Sequence, residues 1–261
     1  MDMVAVKTSS ETNTLIQLSN VSKVFDNGVT ALKNVHLAIK EGEFVSFVGP
    51  SGCGKSTIFK IIAGLSEPTS GTVELQAHSA TEKLDQSDIG FVFQHATLLP
   101  WRSVIDNVAL PLELKGIGKR ERRKQAKAVL NLVGLNDYET SLPRQLSGGM
   151  QMRVSIARAL IAKPKLLLMD EPFGALDEIT RQTMHYELLK IWEKTNMTVL
   201  FITHNVFESV FLSTRIAVMS ARPGRVTDVL DVPDYEKNDS FRSTPEFSKL
   251  VGEVSKGLQH E

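Results

Sequence analysis

The sequence predicts an α/β fold, with a largely parallel sheet covered by helices on both faces and a helix-rich block inserted into it. Three observations lead there. Short apolar runs suited to buried strands recur at Phe44–Val48, at 166–169, at Thr198–Ile202 and at Arg215–Met219. Segments at helix spacing alternate with them, at 56–65, 178–194 and Val206–Leu212, and such alternation builds parallel sheets. Between about residues 102 and 160 no clear strand is found and the chain reads as helices, including 119–133. That block therefore reads as a subdomain within one domain.

Taken in order, residues 1–14 are polar and rich in Ser and Thr, a flexible lead-in without the basic start and apolar run of a secretory signal. Strands follow at 15–18 and around Val35, Leu37 and Ile39, which alternate. The run at 44–48 meets a glycine-rich turn at Gly49, and Ile58, Ile61, Ile62 and Leu65 then fall at helix spacing. Residues 67–71 form a turn before strands at 72–75 and 89–93, the second leading to Gln94. From about 231 the chain turns polar, holds Pro233 and Pro245, and reads as a peripheral tail.

Bulk composition narrows the function classes. Lys+Arg and Asp+Glu both number 30, a balance that argues against an extended nucleic-acid footprint. Cys53 is the one cysteine, which rules out an intrachain disulfide and fits a cytosolic setting. The apolar runs are too short to cross a bilayer, so any membrane connection goes through a partner.

Three motifs carry chemistry. Gly49-Pro50-Ser51-Gly52-Cys53-Gly54-Lys55-Ser56-Thr57 fits the Walker A pattern, in strand–loop–helix context. Its glycines let backbone N–H groups surround phosphates at the positive end of the following helix. Lys55 would reach the β- and γ-phosphates, and the Ser56 hydroxyl would bind Mg²⁺. Next, the buried run at 166–169 delivers Asp170 and Glu171 to the carboxyl end of a strand, where open α/β sheets bind ligands. Asp170 is placed to hold Mg²⁺ and Glu171 to polarise an attacking water; a capped turn is the bland alternative. Finally, Leu146-Ser147-Gly148-Gly149-Met150-Gln151 precedes a helix and offers a second anion site, although two glycines after a serine also make an ordinary loop.

The order and spacing of Walker A, Gln94, the 146–151 stretch, Asp170-Glu171, Gly174-Ala175-Leu176-Asp177 and His204 resemble the ABC ATPase family over about residues 15–230. The resemblance implies a P-loop NTPase fold: a RecA-like core with an antiparallel β subdomain and an inserted α-helical subdomain. It implies ATP as substrate, Mg²⁺ as cofactor, and two subunits closing head to tail. Each ATP would then lie between one subunit's Walker A and the other's Ser147, Gly148 and Gly149. Gln94 corresponds to the glutamine that touches Mg²⁺ and the attacking water. His204 corresponds to the switch histidine, with a capping or core histidine as the alternative, and Asp177 would communicate across the dimer. Phe25 matches the aromatic that stacks on adenine; a core phenylalanine is the other reading. Met150, Gly174 and Asn205 depart from the usual glutamine, serine and aspartate.

Residues 98–101 and 218–225 narrow the resemblance to ATPases of nitrate, sulfonate and taurine importers, a group that includes bicarbonate and pyrimidine-precursor systems. This implies permease partners, a periplasmic or lipid-anchored substrate-binding protein behind them, and a peripheral place on the cytoplasmic face of the membrane. The apolar residues between Leu98 and Leu112 would line a groove for a permease helix or serve as packing between subdomains. The charge run at 119–124 reads as a solvated helix face, or more weakly as a contact with anionic headgroups. The competing functions are export or lipid and lipoprotein handling, a soluble ABC ATPase of DNA repair or translation, and a small-molecule kinase. The last leaves Ser147-Gly148-Gly149 unexplained.

Overall fold

The computed structural model describes residues 14–76 and 84–259, so the 1–14 lead-in lies outside the described residues except for Thr14, which begins a strand. Strands β1 (Thr14–Val24), β2 (Thr30–Lys40) and β4 (Ser70–Leu75) form an antiparallel sheet in the order β2-β1-β4. The second sheet runs β5-β6-β7-β3-β8-β9, from β5 (Ile89–Val92), β6 (Leu166–Asp170), β7 (Thr198–Ile202), β3 (Phe44–Val48), β8 (Arg215–Met219) and β9 (Val226–Asp231). All its neighbours pair parallel except β8 and β9.

Every residue of β3, β6 and β7 is buried, as a parallel sheet covered on both faces requires. Alternation divides them between two cores. Phe44, Leu167, Met169, Val199 and Phe201 face one, and Val45, Phe47, Leu168, Leu200 and Ile202 face the other. Their carboxyl ends therefore emerge together and bring Gly49, Glu171 and His204 to one edge of the sheet.

Helix α1 (Lys55–Ile62) follows the glycine-rich loop. The inserted block holds α2 (Val104–Val108), α3 (Leu110–Leu114), α4 (Lys119–Leu132) and α5 (Gly148–Leu160), and α6 (Glu178–Thr195) and α7 (Val206–Leu212) flank β7. The charge run at the start of α4 is only partly a solvated face. Arg123 makes a bidentate pair with Asp106 at 2.8–3.0 Å, and Arg122 lies 3.5 Å from Glu113. The guanidinium of Arg123 holds the Asp106 carboxyl below its ordinary range.

The segment after residue 231, read as a peripheral tail, is helical over much of its length. It forms α8 (Asp239–Arg242) and α9 (Pro245–Gly257), which lies against α7, β8 and β9. Val232, Phe241, Phe247 and Val254 are buried in the main core. Pro245, which reads as a helix breaker, occupies the first turn of α9 behind the Thr244 cap, where proline costs nothing. Four anchors spread over a stretch of 23 residues rich in polar ones leave little periodicity to detect.

This segment also carries a pH signal. Lys237 donates to the carbonyls of Ser213 (3.1 Å) and Val210 (3.4 Å), and burial pulls its ammonium down to about 8. A lysine depressed in the folded state adds stability that is complete above its unfolded value of 10.5 and is lost as pH falls through 8. Denaturant titrations between pH 8 and 10.5 should therefore show wild type gaining roughly 1–3 kcal/mol relative to Lys237→Met.

Candidate active site

A cleft of about 490 Å³ opens along the edge where those strands end, lined by Phe25, Thr30, Ser51, Gly52, the 54–57 stretch, Gln94, Glu171 and Arg222. The loop after β3 is built around Lys55, whose ammonium is buried and donates to the carbonyls of Gly49 (2.7 Å) and Pro50 (2.8 Å). Gly54 enters α1 at φ +98°, and a Cβ there would meet Leu32 Cδ2 at 2.6 Å and the Ala31 carbonyl at 2.8 Å. Only glycine meets both demands.

Strand β6 delivers two carboxylates into different surroundings. Asp170 is buried; desolvation pushes its carboxyl up, and the neighbouring Glu171 adds to this, while a hydrogen bond from Ser56 and the charge of Lys55 oppose it. Glu171 turns out of the strand in the left-handed region, at φ +47°. Its Oε2 meets Gln94 Nε2, which donates at 3.4 Å, and His204 Nδ1 at 3.4 Å. Three residues from the ends of three strands thus converge on one oxygen. A carboxylate held beside two polar groups at the rim of a phosphate-type cleft can orient and deprotonate a water.

Phe25 is 42% exposed on the cleft wall with Lys23 Nζ 5.7 Å from its ring centre, so it is not a core phenylalanine. Ser147 caps α5 by accepting from Met150 N, and neither Ser147 nor Gly148 nor Gly149 lines the cleft of its own chain. Asp177 is exposed and caps α6 through Thr180 N at 2.9 Å, which holds its carboxyl low.

Comparison with known proteins decides the family. The ABC transporter family matches residues 32–174, more than half of the chain. The chain belongs to this family. It is 48% identical over 259 residues to an uncharacterised ABC transporter ATP-binding protein of Methanocaldococcus jannaschii, covering 98% of this chain and 96% of that one. It is 43% identical to the nitrate import ATP-binding protein NrtD of Synechocystis sp., covering 94% and 95%. It is 46% identical to the taurine import ATP-binding protein TauB of Rhizobium johnstonii, covering 87% and 88%. The ATP-binding cassette MJ0796, solved as a dimer after hydrolysis with ADP and Pi, superposes with a TM-score of 0.76 at 38% identity. That match covers 84% of this chain and all of the cassette. The protein is an ATPase of the ABC family and a P-loop NTPase in fold.

Within this ABC ATPase the three departures are benign. Met150 packs against the core and offers its backbone N–H to Ser147. A Cβ at Gly174 would meet nothing closer than the Glu171 carbonyl at 3.6 Å, so the site would accept serine as well. Asn205 caps α7 through Glu208 N at 3.2 Å, the task an aspartate would perform.

Three functional contacts were missed in the sequence. Arg222 reaches the cleft and donates to the Gly52 carbonyl at 3.3 Å, while a Cβ on nearby Gly224 would stand 1.8 Å from the Cys53 carbonyl. The Arg-Pro-Gly turn therefore buttresses the phosphate loop. Arg158 on α5 grips the segment after Gln94 through the carbonyls of Thr97 (3.0 Å) and Ala96 (3.1 Å). Fully buried Asn107 ties the same segment through Leu99, Arg102 and Ser103 at 2.8–3.1 Å. Only the Arg-Pro-Gly sequence carried any signal, and locally it reads as a plain turn.

The raised Asp170 carboxyl means that the free protein is destabilised once that group ionises. Stability from a raised carboxyl is complete below its unfolded value and is lost as pH climbs through the folded one. Asp170→Asn should therefore melt about 2–4 °C higher at neutral pH and lose this advantage in acid, while its ATPase activity disappears. Calorimetry across pH, paired with phosphate-release assays, reads both.

Proposed function

We propose that this ABC ATPase energises uptake of a small solute, such as nitrate, bicarbonate, a sulfonate, taurine or a pyrimidine precursor, as a pair of ATP-binding subunits beneath a permease. The observation that carries the ATPase chemistry is the convergence of Gln94 and His204 on Glu171 Oε2 at the mouth of the Lys55 cleft. Glu171 acts as general base, His204 contacts the γ-phosphate and Gln94 orients the water. Phe25 stacks on adenine, and residues 49–57 cradle the phosphates. Ser147, Gly148 and Gly149 of one subunit close over the nucleotide of the other, and Asp177 links the two sites.

Ser56, Gln94 and Asp170 offer oxygen donors of the hard kind Mg²⁺ prefers. Among the described residues no group of three His, Cys, Asp or Glu side chains could hold a metal, so phosphate oxygens would complete its shell. Bound there, Mg²⁺ supplies neutralising charge to the phosphates. The cost of burying the Asp170 carboxylate supports this placement.

The importer reading is supported by the names of the relatives and by the surface beside Gln94. Val104, Val108 and Leu112 are packing, yet Trp101 (73%) and Leu114 (80%) stand exposed on the same segment. Exposed large apolar residues next to a catalytic loop suit a permease helix lying in a groove. Among the described residues no helix is long and apolar enough to cross a membrane, which is consistent with peripheral attachment through such a partner. A periplasmic or lipid-anchored protein would hand the solute to that permease. Affinity purification of tagged Glu171→Gln from gently solubilised membranes with ATP tests this. A multi-spanning permease with a solute-binding protein is expected; soluble partners alone would overturn the transport reading and leave the ATPase standing.

A further inference from the structure

His204 is largely exposed, with 68% of its side chain accessible, and among the described residues its ring pairs with Glu171 on the active-site side. What fixes it must therefore act through the backbone of the turn that carries it. Behind that turn lies a chain of polar groups that the catalytic reading does not use. Asn205 N donates to Thr203 Oγ1 at 3.0 Å, and Thr203 Oγ1 donates to Glu208 Oε2. Glu208 Oε1 meets His185 Nε2 at 2.7 Å, and His185 Nδ1 meets Arg242 Nη2 at 3.4 Å. Thr203, Glu208 and His185 are 2%, 7% and 4% exposed. A cavity of about 60 Å³, bordered by Glu171, Thr203, His204, Arg181 and Glu208, joins this chain to the active site.

The proton positions follow from donor chemistry. A guanidinium has only donors, so His185 Nδ1 must accept from Arg242. The imidazole proton then sits on Nε2 and is donated to Glu208 Oε1. Glu208, receiving from the imidazole on one oxygen and from the Thr203 hydroxyl on the other, is an ionised acceptor with both oxygens satisfied. A buried carboxylate persists only with such partners and a compensating charge nearby. Arg242 supplies that charge one imidazole away. It is itself held over the Phe211 ring, 3.9 Å from the centroid, and α8 is pinned beside it by the Tyr186 hydroxyl bonded to Asp239.

We propose that Arg242, on helix α8 of the C-terminal segment, is a positioning residue for the ATPase site. By selecting the Nε2–H tautomer of His185 it orients Glu208, and Glu208 fixes the Thr203–Asn205 turn that presents His204. The C-terminal segment is then part of the hydrolytic apparatus as well as of the core. This inference rests on the assignment of His204 to the reaction.

The test combines kinetics of the full-length protein with imidazole nitrogen NMR. Arg242→Met keeps the bulk over Phe211 and removes the donor. It should lower kcat about 10- to 100-fold, the scale of a misplaced catalytic group, with KM for ATP within about twofold. Arg242→Lys restores a donor and should recover most of the loss at a similar melting temperature. In wild type, long-range nitrogen–proton correlations should show His185 protonated on Nε2 alone, and the Nδ1–H form should emerge in Arg242→Met. Wild-type kcat in Arg242→Met, equal loss in both variants tracking stability, or an Nδ1 proton on His185 in wild type would each overturn the proposal. His204→Ala separates the readings: full turnover there removes the role of His204 itself, while the tautomer measurement still judges the relay.

Discussion

Glu171→Gln should slow ATP turnover by at least about 100-fold while leaving nucleotide affinity nearly unchanged, the loss typical of removing a general base. The change is isosteric, and the position that receives Gln94 and His204 keeps an atom capable of meeting them. What disappears is the capacity to take a proton from water. Phosphate release and equilibrium nucleotide binding, measured on the same preparation, separate the two quantities. Turnover within a few-fold of wild type would transfer the base to another group. Asp170 is a poor substitute, because its carboxyl is buried and already engaged by the Ser56 hydroxyl. His204, 68% exposed and in contact with Glu171, would be the next candidate.

Two inactive variants should restore activity when mixed. Lys55→Ala removes the cation of the phosphate loop, and Ser147→Glu places a negative charge at the α5 N-terminus where a γ-phosphate should dock. Each alone should be nearly dead. In a head-to-tail pair, one interface of the mixed dimer gathers both lesions and the other is intact. Co-refolded or co-expressed mixtures should therefore recover roughly a tenth to a quarter of wild-type turnover. The prediction rests on position: Ser147 and Gly148 are exposed, Gly149 is partly so, and none lines the cleft of its own chain. A mixture no more active than its parents would argue that each chain completes its own site. Ser147→Glu loses a cap to Met150 N, worth about 1 kcal/mol, so it should fold normally.

Much of the site was legible in the sequence because its chemistry depends on contiguous residues. A phosphate loop needs glycines, Lys55 and Ser56 at fixed spacing, and a strand that ends in Asp170-Glu171 announces itself by four apolar residues followed by two acids. Buried strands were found for a similar reason: β3, β6 and β7 lie between two helical layers, so both faces of each strand must be apolar. Where the sequence misled, the signal was diluted. Strand β9 is largely solvent-facing and pairs at the sheet edge with β8, so Val226–Asp231 shows no strong pattern. Helices α8 and α9 are held by Phe241, Phe247 and Val254 among polar neighbours. The charge run of α4 hid two arginines whose partners, Asp106 and Glu113, precede them on α2 and α3.

By itself, then, the sequence determined the class of chemistry, the buried strands and the candidate residues of the phosphate loop, because each is fixed by residue type at short range. The tertiary structure decided which groups meet across long separations. Gln94 and His204 reach Glu171 because three parallel strands end together. Arg222 and Gly224 brace a loop 170 residues earlier, and Arg242 reaches His185 from a segment that looked peripheral. Such contacts leave no spacing in the chain, since they are set by how strands and helices stack once apolar faces are buried. The packing that makes them also fixes their geometry.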